Sequence, residues 1–160
     1  ENALFKSAQN DASYEVEARA TLSWVRVRTW GEKRFQNHSE TEEFLLNQFK
    51  KESYLDSIRR AVLSGSLQLP GMAEGERPRL LELIFSSAQR GHSLYLRTGA
   101  IRCLGELCRR GNASLSDQCF SLLRQIAMER DIIVRESIVS ALENSGKEQG
   151  IPILLSLIHI

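Results

Sequence analysis

Leu96-Arg97-Thr98-Gly99-Ala100-Ile101-Arg102-Cys103-Leu104-Gly105-Glu106-Leu107 and, 38 positions on, Val134-Arg135-Glu136-Ser137-Ile138-Val139-Ser140-Ala141-Leu142 decide how this chain folds. In each, an apolar anchor is followed by apolar or small residues four, seven and eight places later: Leu96, Ala100, Cys103, Leu104, and Val134, Ile138, Ala141, Leu142. That spacing lays one stripe along a helix of 3.6 residues per turn and predicts one buried face in each segment. The template fits twice more upstream, at Val16, Ala20, Ser23, Trp24 and at Tyr54, Ile58, Ala61, Val62, so the anchors stand 38, 42 and 38 residues apart. A period near 40 residues is the signature of a two-helix repeat.

The partner helices lie between the anchored ones. Phe44, Leu45, Gln48, Phe49 form one amphipathic stretch, Leu80, Leu81, Ile84, Phe85, Ala88 a second, and Leu115, Cys119, Leu122, Leu123, Ile126 a third. Punctuation agrees: Ser114 with Asp117 has capping-box spacing, Pro78 suits a first helical turn, residues 68–76 carry Pro70, Gly71 and Gly75 as a loop, and Ser145-Gly146 ends the fourth anchored helix. No segment alternates in the period of two that a strand requires. The prediction is an all-α chain, a right-handed α-α superhelix of about four helix pairs forming one repeat domain over 1–160, with repeats at 1–28, 39–66, 77–110 and 114–145 and a partial one at 147–160. A helix pair cannot bury its stripe alone, so pairs stack and one set of helices lines a concave face. The charged candidates for that face are Glu17, Asp56, Arg59, Arg60, Arg97, Arg102, Arg135 and Glu136.

Composition removes several functions. With 21 basic and 20 acidic residues the net charge is +1, so no long-range field draws the chain to nucleic acid or an anionic membrane. Neither a signal peptide nor a span of roughly 20 apolar residues is present, which leads to the expectation of a soluble, cytoplasmic protein. The chain starts at Glu1 without methionine and stops inside the apolar stretch 151–160, so it is read as a piece of a longer polypeptide. Cys103, Cys108 and Cys119 form no C-x-x-C pair and fall on apolar positions, with Cys108 beside Arg109 and Arg110 the least settled; they are read as reduced core cysteines. His38, His92 and His159 stand apart from one another and are read as solvated.

No catalytic, cofactor or metal site is expected within these residues. H-E-x-x-H, which sets two imidazoles on one helix face around zinc, is missing, as is a phosphate-cradling loop of the Gly-Lys-Ser/Thr type. One basic patch, Arg26, Arg28, Lys33 and Arg34, is interleaved with Trp30 and Phe35, as suits contact with a nucleic-acid backbone and bases. The same residues suit a helix C-terminus, where cations meet unpaired carbonyls, and the near-zero net charge favours that account.

Two resemblances sharpen these expectations. The segments from Leu96 and from Asp131 resemble the second helix of HEAT repeats of the phycobilisome-lyase-like type, while Glu17 and Leu55 stand where that pattern has Arg and break any Arg ladder. Asn10-Asp11-Ala12-Ser13-Tyr14-Glu15-Val16-Glu17-Ala18, followed by Ser53-Tyr54-Leu55-Asp56-Ser57-Ile58-Arg59-Arg60-Ala61-Val62-Leu63-Ser64-Gly65, is similar to the C-terminal helical domain of aminopeptidase N family zinc aminopeptidases. The resemblance implies a non-catalytic domain that walls the peptide chamber, with zinc only in an upstream peptidase domain and a preceding domain of the same polypeptide as partner. The competing expectation is a free-standing HEAT adaptor that binds a protein or peptide on its concave face. A nucleic-acid-binding solenoid ranks third, and no membrane partner is expected.

Overall fold

The computed structural model describes residues 2–158, the side chains of Arg34, Phe35 and Ile158 excepted, and every described element is helical. The chain forms two compact units, one through Met72 and one from Ala73.

The first unit contains α1 (Asn2–Asn10), α2 (Tyr14–Thr29), a 3-10 turn at Gly31–Phe35, α3 (Ser39–Phe49), a second 3-10 turn at Tyr54–Asp56 and α4 (Ser57–Ser66). α1 packs on α2, α3 on α4, and α2 on α4. Three aromatic rings knit α1, α2 and α3: Trp24 lies 4.5 Å from Phe44 and 5.2 Å from Phe5, centroid to centroid, in tilted geometry. At the α2–α4 contact small residues let the helices close up, Ala18 meeting Ile58 and Ala61 with Leu22 alongside. Leu45, Ile58 and Leu63 are fully buried, each contributing about 2 kcal/mol of transfer free energy.

The expected stripes of this unit need correcting at their anchors. Val16 is 45% exposed, and its neighbour Glu17 is only 5% exposed. Ala20 and Trp24 are buried as expected, so the inward face of α2 is rotated by about one residue at its first turn. Tyr54 is 73% exposed because it opens a 3-10 turn in which Leu55 and Asp56 adopt the left-handed region, φ 53° and 51°. The helical stripe begins only at Ile58, and Ala61 and Val62 continue it.

The second unit contains α5 (Pro78–Ala88), α6 (Leu94–Arg110), α7 (Ala113–Ala127), α8 (Ile132–Ser145), a 3-10 turn at Glu148–Gly150 and α9 (Ile151–Ile158). α6 is central, packed against α5, α7 and α8, while α9 packs on α7 and α8. The stripes Leu96, Ala100, Cys103, Leu104 and Val134, Ile138, Ala141, Leu142 are buried in full. Helix starts are capped from the side chain: Ser93 Oγ accepts from the Leu96 amide at 3.2 Å, and Asp131 Oδ1 from the Ile133 and Val134 amides at 2.9 and 3.1 Å. Pro78 opens α5, and Gly146 in the left-handed region, φ 62°, closes α8.

The start of α7 is set differently from the capping box at Ser114. The chain leaves α6 at Gly111, and Asn112, at φ −59° and ψ 167°, is the capping residue, its Oδ1 accepting from the Leu115 amide at 2.9 Å. Asn112 Nδ2 also donates to the Glu74 carbonyl at 2.8 Å, and its amide to the Ala73 carbonyl at 2.9 Å, so the cap pins the loop before α5. Ser114 is left inside the first turn.

α6 and α8 meet at one very close point. A Cβ added at Gly105 would stand 2.6 Å from the Ala141 carbonyl oxygen and 2.8 Å from the Ala141 Cα. Only hydrogen on the Gly105 Cα, facing a residue as small as Ala141, permits this approach.

Candidate functional site

Three of the eight charged residues expected on a concave face, Arg59, Arg97 and Arg135, are used instead to finish helices. A helix leaves its last carbonyls without intrahelical partners, and cations are favoured there. Arg59 Nε donates to the carbonyl of Phe49, the last residue of α3, at 3.0 Å, and Arg59 Nη1 pairs with Asp56 Oδ1 at 3.2 Å. Arg97 Nε donates to the carbonyl of Ala88, the last residue of α5, at 3.3 Å, and Arg97 Nη2 pairs with Glu129 Oε1 at 2.8 Å. Arg90 Nε reaches the same Glu129 oxygen at 3.4 Å. In α8, Arg135 Nη2 donates to the Leu157 carbonyl near the end of α9.

Glu17 breaks the Arg pattern, and the structure supplies the missing cation from the segment that follows α3. Lys51 Nζ donates to the Gln9 carbonyl near the end of α1 and to Glu17 Oε1. Lys51 lies two residues past the end of α3, and Glu129 two residues past the end of α7. Glu17 and Arg97 each directly follow a predicted anchor. The two joints therefore occupy matching repeat positions with their charges exchanged, and in both the cation finishes the helix that comes first. Arg90, two residues past α5, occupies the position of Lys51 and Glu129 as well. Sequence reasoning missed Lys51, Glu129 and Arg90; superposing the repeats at their helix ends would have found all three.

Glu17 and Arg97, at 5% and 7% exposure, are too buried to present their charge to a partner. Asp56, Arg59, Arg60 and Arg135 are half-buried, and only Arg102 and Glu136 of the eight are exposed. In the basic patch, Arg28 is half-buried, its guanidinium 5.7 Å from the Trp24 ring centroid and 3.5 Å from Glu40. Arg26 is exposed, Lys33 is half-buried, and the Arg34 side chain lies outside the described residues. Trp30 is exposed, and the Phe35 side chain is likewise outside the description. On the surface of α6, Glu106 is held below the usual carboxylate range, chiefly by its hydrogen bond from Arg109 against a smaller upward push from burial. With Arg109 exposed, solvent and salt screen the pair, and it adds little to stability.

All three cysteines are free and buried, Cys108 included. Burial pushes the Cys103 thiol from 9.0 up to about 12, with Glu106 adding to the rise and Arg102 opposing it. Cys119 is raised by a hydrogen bond with the Cys108 thiol and then by burial, with Lys147 opposing. A thiol without thiolate character is a poor nucleophile. We expect a water-soluble disulfide reagent to modify none of the three at neutral pH in the native chain and all three after unfolding; rapid native labelling would contradict the burial. Because the raised value favours the neutral thiol in the folded state, the Cys103 contribution to stability is complete below pH 9 and is lost as pH rises from 9 toward about 12.

The histidines divide. His92 is exposed, His159 lies outside the described residues, and His38 is buried at 1% exposure, which corrects the solvated reading of that residue. Asn37 explains the turn: its Oδ1 accepts from both the amide and the hydroxyl of Ser39, at 2.9 and 2.6 Å, and the His38 side chain points inward at the start of α3. Neither His38 ring nitrogen has a hydrogen-bond partner. Among the described residues no group of three or more His, Cys, Asp or Glu is placed to hold a metal ion. No described helix is long and apolar enough to cross a membrane.

Compared with known proteins, the chain matches no family model, no curated protein and no solved structure.

Proposed function

We propose that this chain is a non-catalytic scaffold of HEAT-like helix pairs, stacked as a right-handed α-α superhelix, that shapes a surface for a preceding domain of its own polypeptide. The observation that carries the reading is the recurrence of one ion joint at matching repeat positions, Glu17 with Lys51 and Arg97 with Glu129. Charged groups that recur with the repeat and finish helices serve the array. A catalytic centre would instead gather unlike groups at one place. The contacts of α2 with α4 and of α6 with α8 support stacking of the anchored helices within each unit.

The more specific form of the proposal is the C-terminal domain of an aminopeptidase N-like zinc peptidase, which walls the peptide chamber. Its support is the ordered pair of motifs, Asp11-Ala12-Ser13-Tyr14 and Ser53-Tyr54-Leu55-Asp56 with their following residues. Sequencing the parent transcript tests it: H-E-x-x-H with a downstream Glu is expected upstream, and its absence removes the peptidase. Purified alone, the chain is expected to hydrolyse no aminoacyl anilide with or without added zinc. Turnover that co-elutes with the chain and vanishes with a chelator would overturn the scaffold reading.

A second reading, an adaptor for a protein partner, is favoured by the exposed apolar side chains of Met128, Ile132 and Ile133, where α7 hands over to α8. Crosslinking that recovers a stoichiometric partner without any peptidase domain would decide for it.

A further inference from the structure

The second unit carries a trough between α5 and α7 that meets a repeat joint only at its far end, at Arg90 and Glu129. One stretch, of about 580 Å³, runs between α5 and α7 and is lined by Glu74, Glu82, Phe85, Gln89 and Gln118 among others, with Leu81 and Leu115 contributing apolar surface. A second stretch, of about 410 Å³, shares Gln89 and continues past Leu122 toward Glu129. The walls are held in place. Asn112 caps α7 and bonds the loop at Glu74, while α6 packs against both α5 and α7.

Its charge is one-sided. Glu74 and Glu82 line the first stretch, both are exposed, and no basic residue lines it with them. Arg79, one turn before Glu82 on α5, is outside the lining. Cations enter only at the far end, where Arg90 is engaged with Glu129. Two carboxylates without a cation beside a half-buried phenyl ring and two primary amides make a surface complementary to a positively charged, partly apolar chain. The amides of Gln89 and Gln118 can each both donate to and accept from a peptide backbone. α5 is 11 residues long, about 16 Å at 1.5 Å per residue, which matches roughly five residues of extended peptide.

We infer that this trough binds a short extended peptide that sets lysine or arginine against Glu74 and Glu82 and an apolar side chain against Phe85. The site lies wholly within the second unit and goes beyond the scaffold reading, needing neither the superhelix nor a peptidase parent.

The test is selection from a randomised heptapeptide library displayed on phage against the full 160-residue chain. Enriched sequences are expected to carry Lys or Arg next to an apolar residue. A dye-labelled peptide of the enriched sequence should bind the E74Q/E82Q variant about tenfold more weakly and lose most of its salt dependence, while Phe85→Ala weakens binding with the salt dependence kept. Both glutamates are exposed, so thermal melting of the double variant should match that of the parent. No enrichment, enrichment without basic residues, or undiminished binding by E74Q/E82Q would each overturn the proposal. Binding to a peptide whose affinity follows Arg26→Gln and Arg28→Gln would also do so, because it would place the site in the other unit.

Discussion

Gly105→Ala should destabilise the second unit by about 2–3 kcal/mol, the cost of forcing a methyl into a closed contact, and lower its melting temperature on the order of 10 °C. The expectation runs against helix propensity. In an open position inside a helix, Ala in place of Gly gains up to about 1 kcal/mol. Here the new Cβ would lie 2.6 Å from the Ala141 carbonyl oxygen and 2.8 Å from the Ala141 Cα, and backbone cannot swing aside as a side-chain tip can. α6 and α8 would have to separate along their whole contact. Gly65→Ala is the internal control: its Cβ would meet Leu45 and Val25 side-chain carbons at 3.6 Å, an ordinary packing distance, so a small gain of about 0.5 kcal/mol is expected. Thermal or urea unfolding of the two variants gives opposite signs if the close approach at Ala141 is real. A stabilised Gly105→Ala would mean that α6 and α8 lie further apart.

That contact also shows which parts of the fold were legible in the residues. The stripes that start at Leu96 and Val134 could be read position by position, because their burial is decided by apolar side chains at helical spacing. Gly105 and Ala141 fall on those same helices, yet nothing in their local pattern announces that two backbones touch. The first two stripes slip at their anchors for different reasons. Glu17 is buried only because Lys51, 34 residues away, meets it, and hydropathy assigns a glutamate to solvent. Tyr54 lies outside the helix because Leu55 and Asp56 turn left-handed, a conformation that a Tyr-Leu-Asp sequence does not advertise.

The charged positions show the same division. Arg97 and Arg135 recur directly after their anchors and Arg59 stands among the other charged candidates, but neither recurrence nor composition fixes the face that such side chains serve. What recurrence cannot distinguish is a guanidinium offered to a ligand from one folded back onto a carbonyl at a helix end. That depends on where the preceding helix stops, and helix ends are the least periodic part of a sequence. His38 fails for a similar reason: the turn made by Asn37 and Ser39 decides which way the ring points, and no pattern of spacing encodes it.

Exchanging the charges of the first joint should reproduce the arrangement of the second. Arg97 and Glu129 show that the joint works with the cation on the anchored helix and the carboxylate past the end of the following helix; Glu17 and Lys51 are its mirror. Glu17→Arg alone would put two cations together at a position that is 5% exposed, and should cost about 3–5 kcal/mol, as removing one member of a buried pair does. Lys51→Glu alone leaves two carboxylates there and removes the donor that finishes α1 at Gln9, with a loss of the same order. The double variant restores the pair, and the guanidinium at position 17 has the reach to serve the α1 carbonyl as Arg97 serves Ala88. Its stability should return to within about 1–2 kcal/mol of the parent, a coupling of several kcal/mol in a double-mutant cycle measured by urea unfolding. Losses that simply add would show that the two joints are alike in charge only, and would take away the observation on which the repeat scaffold rests.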